Sequence, residues 1–124
     1  MGVALLEAEL ARDLSQLRGV RLSIASWLDD AGVNRETRDD ILLATHEAVA
    51  NAIEHAREDG PIMLRGEIGK DAVTVSVSNA GDWRPPSSND VRGRGLTVIR
   101  ALITDVNVEV GAHVSVVMRR SLMS

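Results

Sequence analysis

Hydrophobic residues recur at every third or fourth position in two stretches of the chain, and this spacing predicts two α-helices. The first helix is predicted to begin at a cap formed by Asp13 or Ser15 and to stop at Gly32. The second is predicted to begin with Asn34 as its N-cap and to reach about Arg57. Its predicted buried side consists of Ile41, Leu42, Ala44, Ala48, Val49, Ala52 and Ile53.

After the two predicted helices, apolar and polar residues alternate along the chain, and this alternation predicts β-strands. Val73, Val75 and Val77 alternate with polar residues, so their strand has one apolar face. The pattern predicts a short first strand and two antiparallel hairpins, one on either side of an irregular segment. The predicted strands are residues 3–10, 62–68, 72–78, 106–110 and 114–118. Helices covering one face of such a sheet would make an α+β fold.

Residues 79–95 follow neither period and are rich in glycine, proline and polar residues. The segment is longer than the roughly 12–15 residues of most connections, which predicts a lid or a binding loop. Within it, Trp83 either covers a ligand or packs against the Pro85-Pro86 turn. The apolar positions after the segment predict a short amphipathic helix: Leu96, Ile99, Leu102 and Ile103.

The 124 residues are predicted to form one domain, residues 1–124. The chain has two Trp, no Phe and no Tyr, so its core must be aliphatic, and without cysteine it has no thiolate metal site. The net charge of −4 gives no general attraction to nucleic acid or to an anionic membrane. No apolar run reaches the roughly 18 residues of a membrane span. We therefore expect a soluble cytoplasmic protein. Arg119 and Arg120, near the end of the sequence, are predicted to be exposed to solvent and not part of a site.

The second predicted helix carries Glu47, Asn51 and His55 at intervals of four, which places them in one polar stripe. Such a stripe is either the solvated face of an amphipathic helix or a ligand site. A helical zinc protease motif is excluded, because it needs a histidine at position 50, which is Ala50.

Gly93-Arg94-Gly95 stands where the last helix is predicted to begin, and this pattern favours anion binding. Glycines allow close approach, and the free N–H groups of a first helical turn attract phosphate. Arg92 and Arg94 add charge and bidentate donors. The motif lacks the Gly-Lys-Ser/Thr ending of a Walker loop and the βαβ context of a dinucleotide site.

These motifs occur in an order that resembles the GHKL ATPase superfamily, over nearly the whole chain. They are Glu47-x₃-Asn51-x₃-His55, similar to the N box, Asn79-Ala80-Gly81, similar to the G1 box, and Gly93-Arg94-Gly95-Leu96, similar to the G2 box. Within this superfamily the motifs most resemble the branch of anti-sigma-factor serine-protein kinases. Residues 83–86 and 92–96 are similar to ATP-binding domains of actinobacterial regulators, some of which are fused to phosphatase domains.

The resemblance implies a Bergerat ATP-binding fold, an α+β two-layer sandwich with a mixed sheet of about five strands and three helices on one face. It implies ATP and Mg²⁺ as cofactors. Asn51 would ligate Mg²⁺, and Glu47 would orient or activate the attacking group. Asn79 and Gly81 would lie at the adenine. The residues implied at the phosphates are His55, Arg92, Gly93, Arg94, Gly95 and Leu96.

Two positions depart from the family pattern. The G1 box normally begins with Asp, but here it begins with Asn79, and residues 111–113 (Gly-Ala-His) replace the usual Gly-Thr. Losing the charge-assisted hydrogen bond to adenine would cost roughly 1 kcal/mol, a five- to tenfold loss of affinity.

The resemblance further implies an anti-anti-sigma (STAS-type) protein and a sigma factor as partners, and a possible homodimer. The expected activity is phosphorylation of a serine on the anti-anti-sigma partner, with sequestration of the sigma factor. One alternative is a catalytically weak or inactive binding module of the same fold. A more distant alternative is a small metabolic enzyme whose loop binds another phosphorylated ligand.

Overall fold

The computed structural model describes residues 4–11, 13–55, 61–80, 94–103, 105–110 and 113–122, which form five strands and three helices. In chain order these are β1 (Ala4–Leu10), α1 (Gln16–Asp30), α2 (Arg35–His55), β2 (Ile62–Ile68), β3 (Ala72–Ala80), α3 (Arg94–Leu102), β4 (Asp105–Val110) and β5 (His113–Ser121). Each predicted element is present. Within these ranges no helix combines the length and the apolar character that crossing a membrane requires.

The five strands form one sheet in the order β1-β2-β3-β5-β4. All four pairs of neighbouring strands are antiparallel, so the expectation of a mixed sheet is wrong on this point. The reason lies in the connection through α3, which carries the chain from β3 to the outer position of β4. Strand β5 then returns between β3 and β4, and every strand runs opposite to its neighbours.

The helices cover one face of this sheet, as the alternation in the strands predicts. Inward-facing strand residues are buried, whereas Glu7, Arg65 and Glu67 on the other face are exposed. The buried aliphatic strand residues are Leu10, Ile62, Leu64, Ile68, Val73, Val75, Val77, Val106, Val116 and Met118. They form one core with residues of all three helices, among them Ile24, Val49 and Ile99. The core is aliphatic, as the composition requires.

The connection between α1 and α2 is fixed at both ends by backbone geometry. Gly32 has a φ of 77°, the left-handed conformation that glycine adopts without strain. Its N–H donates to Asp29 O at 3.0 Å, and the N–H of Val33 donates to Leu28 O at 3.1 Å. These two bonds are the Schellman pattern of a helix end, so the predicted stop at Gly32 is confirmed.

The start of each long helix is also visible in its hydrogen bonds. Asn34 caps α2, because its Oδ1 accepts the N–H of Thr37 at 2.9 Å, which confirms its predicted role. Before α1, the carboxylate of Asp13 accepts the N–H of Ser15 at 2.9 Å. This bond to the charged form lowers the pKa of Asp13 below its usual value. The predicted continuation of α2 to about Arg57 lies outside the described residues.

Helix α1 packs on the sheet through an aromatic ring. Gly66 of β2 presents no side chain on the inner face, and Trp27 occupies that space. A Cβ atom at Gly66 would lie 2.5 Å from Cη2 of the Trp27 ring. The glycine therefore sets how closely α1 approaches β2.

Candidate functional site

Helix α2 carries the polar stripe that the sequence predicts. Glu47 is partly exposed, and Asn51, one turn further along, is buried with 9% of its surface accessible. His55 is the last residue of α2, and its side chain lies outside the described part. The burial of Asn51 argues against the alternative that the whole stripe is a solvated face.

Glu47 also borders a cleft between α1 and α2. The cleft has a volume of about 370 Å³ and is lined by Arg21, Asp39, Leu42, Leu43, His46 and Glu47. His46 Nδ1 is buried and has no hydrogen-bond partner within the described ranges. Helical spacing alone does not show how α1 packs beside α2, so the sequence did not indicate Arg21 as a neighbour of Glu47.

Asn79 lies near the end of β3 on the helix-covered face. Its backbone is paired with Ile62 of β2 and Val114 of β5, and β3 continues to Ala80. The prediction that regular structure ends at Ser78 is therefore wrong, because pairing with β2 extends the strand to Asn79 and pairing with β5 extends it to Ala80. The Asn79 side chain is 4% exposed, and its Nδ2 has no hydrogen-bond partner among the residues the structure describes.

Helix α3 begins within the glycine motif. Arg94, Gly95 and Leu96 are its first three residues, which agrees with the prediction that the glycine motif opens this helix. Only the backbone of these three residues is described. Gly81, Arg92 and Gly93, which the resemblance places at the nucleotide, lie outside the described residues, as does Trp83.

The other end of α3 is held by Arg120, an arginine that the sequence pattern predicts at a solvated end. Arg120 Nη1 donates to Asp40 Oδ2 at 2.6 Å and to Leu102 O, the last residue of α3, at 2.9 Å. The prediction for Arg120 is wrong: the strand alternation places it on the inner face with Val116 and Met118. Arg119 points the other way and is half-exposed, 4.0 Å from Asp105.

Helix α2 is the central element of this region, since it packs against both β3 and α3. The structure therefore brings together the elements that carry the three resembling motifs. Glu47 and Asn51 stand on α2, Asn79 stands on the strand beneath it, and residues 94–96 open the neighbouring helix. These elements carry a carboxylate, two buried amides and the N-terminal end of a helix, which are groups that can bind an anionic ligand with a polar base.

Residues 10–120 of this sequence match the family described as the histidine kinase-like ATPase domain. The chain belongs to this family. The match extends from the end of β1 to near the end of β5, and it confirms the family that the three motifs indicate.

The chain is also similar to curated proteins named as a serine-protein kinase and as an anti-sigma factor. The chain is 30% identical to the serine-protein kinase RsbW of Listeria innocua over 119 residues, which cover 81% of this chain and 76% of the relative. It is 31% identical to the anti-sigma F factor of Clostridium beijerinckii over 64 residues, 49% of this chain and 45% of that protein.

A solved structure supports the fold. The crystal structure of the RsbU and RsbW domains of a Mycobacterium tuberculosis protein superimposes with a TM-score of 0.76 at 24% identity. The superposition covers 94% of this chain and 32% of that chain. The present chain thus spans about a third of that larger protein, and the five strands and three helices described above share its fold.

Proposed function

We propose that the chain is an ATP-dependent serine-protein kinase of the anti-sigma type. It phosphorylates a serine of an STAS-type anti-anti-sigma protein and sequesters a sigma factor when that partner is unavailable. The names of the relatives, a serine-protein kinase and an anti-sigma factor, support both halves of this proposal. Sigma factors act on RNA polymerase, so the proposal places the protein in the cytoplasm, without direct contact to nucleic acid or membrane. Pairing into a homodimer stays a prediction, which sedimentation velocity would check.

The observation that carries the proposal is the burial of two side-chain amides between α2 and the sheet. Asn51 and Asn79 are 9% and 4% exposed, among buried residues that are mostly aliphatic but also include Thr45 of α2. An amide in such surroundings costs free energy unless it is hydrogen-bonded. Nδ2 of Asn79 has no hydrogen-bond partner among the described residues, and a nucleotide would supply one. Its base would lie toward Asn79 and its phosphates toward Asn51.

Asn51 fits a role at Mg²⁺, because an amide oxygen is a hard ligand of the kind that this ion prefers. When bound, Mg²⁺ would neutralise charge on the phosphates. Glu47 is only partly buried, so a serine of a second protein can reach its carboxylate. There Glu47 accepts the proton of the serine hydroxyl while the oxygen forms its bond to the γ-phosphorus, and the bond from that phosphorus to ADP breaks.

The phosphate contacts in the proposal come from the start of α3. Backbone N–H groups at the N-terminal end of a helix point outward and attract anions. The proposal places the first turn of α3 at the phosphates, together with the glycine motif that precedes it. Its residues there are Arg92, Gly93, Arg94, Gly95 and Leu96, with His55 on the same side and Gly81 beside the base.

The test is transfer of radiolabelled phosphate from Mg-ATP to an STAS-type partner, measured for the wild type and for Glu47→Gln. We expect the variant to bind ATP in calorimetry and to transfer phosphate at least about 100-fold more slowly, the usual scale of a lost general base. Glu54→Gln is the matched control, because Glu54 is an exposed carboxylate on the same helix. It should leave transfer unchanged.

The outcomes separate the candidate functions. Undiminished transfer by Glu47→Gln would show that Glu47 has no catalytic role. ATP binding without transfer to any partner would favour a binding module, an alternative that Asn79 in place of the family's Asp also favours. No binding of ATP at millimolar concentration would overturn the kinase proposal.

A further inference from the structure

The amide of Asn79 has unused hydrogen-bonding capacity in a buried position. Its side chain is 4% exposed, it stands on the helix-covered face of β3, and its Nδ2 is without a partner in the described part of the chain. The neighbouring inward positions of the strand, Val75 and Val77, are apolar and cannot serve it. A ligand that reaches this position therefore meets an amide rather than a charge.

An amide offers one acceptor and one donor side by side. The Watson–Crick edge of adenine presents the N6 amino group as a donor and N1 as an acceptor. The corresponding edge of guanine presents the O6 acceptor and the N1–H donor. Rotation of the amide by half a turn exchanges its oxygen and nitrogen, so one Asn side chain can form two hydrogen bonds with either base.

A carboxylate in the same place behaves differently, because both of its oxygens only accept. It can accept the amino group of adenine, but it repels O6 of a guanine held in the same orientation. Asp and Asn have nearly the same size and shape. The base preference of the site thus depends on a single exchange of NH₂ for oxygen.

We propose that Asn79 sets the base specificity of this site and that it accepts guanine as well as adenine nucleotides. The inference rests on the proposed nucleotide-binding function and names its substrate class as purine nucleoside triphosphates. With Asn79 at the base, the kinase can use either ATP or GTP as its phosphate donor.

The test is calorimetric titration of the full chain with Mg-ATP, Mg-GTP and Mg-ITP, for the wild type and for Asn79→Asp. For the wild type we expect dissociation constants of ATP and GTP within about tenfold of each other. ITP has the 6-oxo group without the 2-amino group, and it should bind as GTP does. Asn79→Asp should retain ATP binding and weaken GTP relative to ATP by about 100-fold, because a buried acceptor then faces O6.

A wild-type preference for ATP over both 6-oxo nucleotides by more than about 100-fold would overturn the inference while leaving the kinase proposal intact. An unchanged GTP-to-ATP ratio in folded Asn79→Asp would overturn it as well. The ITP measurement needs no variant, so the inference stays testable if Asn79→Asp does not fold. Failure of the wild type to bind any of the three nucleotides would instead overturn the proposed function.

Discussion

Gly66 leaves a gap in the side chains of β2, and the ring of Trp27 fills it. Substitution Gly66→Ala places a methyl group 2.5 Å from that ring, so α1 must shift. We expect a loss of about 1–3 kcal/mol in the free energy of unfolding, the usual cost of overpacking a core. Urea denaturation followed by circular dichroism measures it.

Gly19→Ala is the matched control, because a Cβ there meets nothing within 4 Å. Gly19 lies inside α1, where alanine is the better helix former, and we expect a gain of about 0.5–1 kcal/mol. Equal effects at both glycines would contradict the close approach of Trp27 to β2.

The sequence predicts which residues belong to the candidate site, but it does not predict how deeply each of them is buried. The spacing of Glu47, Asn51 and His55 indicates a stripe, but it does not show that Asn51 is buried while Glu47 is partly exposed. That difference arises from packing against α1, α3 and the sheet. Arg120 was predicted wrongly for a related reason: its partner Asp40 is 80 residues away in sequence, although its alternation with Val116 and Met118 points inward.

Among the secondary-structure elements, α3 is held at its C-terminal end by Arg120. Arg120→Met removes its bonds to Leu102 O and Asp40. Since these bonds involve a charged donor at a partly buried site, we expect a loss of roughly 1–2 kcal/mol of stability. Thermal unfolding of the two single variants and the double variant with Asp40→Asn measures the coupling.

Arg119→Met serves as the comparison on the same strand. Arg119 is half-exposed and only 4.0 Å from Asp105, so its loss should change stability by less than about 0.5 kcal/mol. If both substitutions cost the same, Arg120 does not anchor α3.

The ends of helices and strands can be predicted where a residue in the local sequence marks them. Gly32 and Asn34 carry such signals, and both the stop of α1 and the start of α2 are confirmed. Strand β3 carries no signal for its last two residues, because pairing with β2 and with the distant β5 decides them. The order of the strands likewise depends on which edges meet in three dimensions, so the expectation of a mixed sheet had no local basis.

For the molecule as a whole, a nucleotide bound only by the folded state raises the midpoint of unfolding. At 100 times its dissociation constant, Mg-ATP should add about 2.7 kcal/mol, or about 10 °C for a domain of this size. The measurement is a thermal melt with and without Mg-ATP.

ATP with a chelator in place of Mg²⁺ is the control for the metal. We expect a clearly smaller shift in that sample, because Asn51 then has no ion through which to contact the phosphates. Equal shifts with and without Mg²⁺ would contradict the role proposed for Asn51.

The sheet order also has a consequence for synthesis on the ribosome. Strands β1, β2 and β3 can pair in the order in which they emerge, but β4 emerges before the strand that joins it to the sheet. Until β5 has left the exit tunnel, β4 has no neighbour and one edge of β3 stays open. Such unpaired edges attract other chains. The sheet is therefore complete only when β5 pairs with both β3 and β4, and until then the open edge of β3 and the unpaired β4 are exposed to aggregation or chaperone binding.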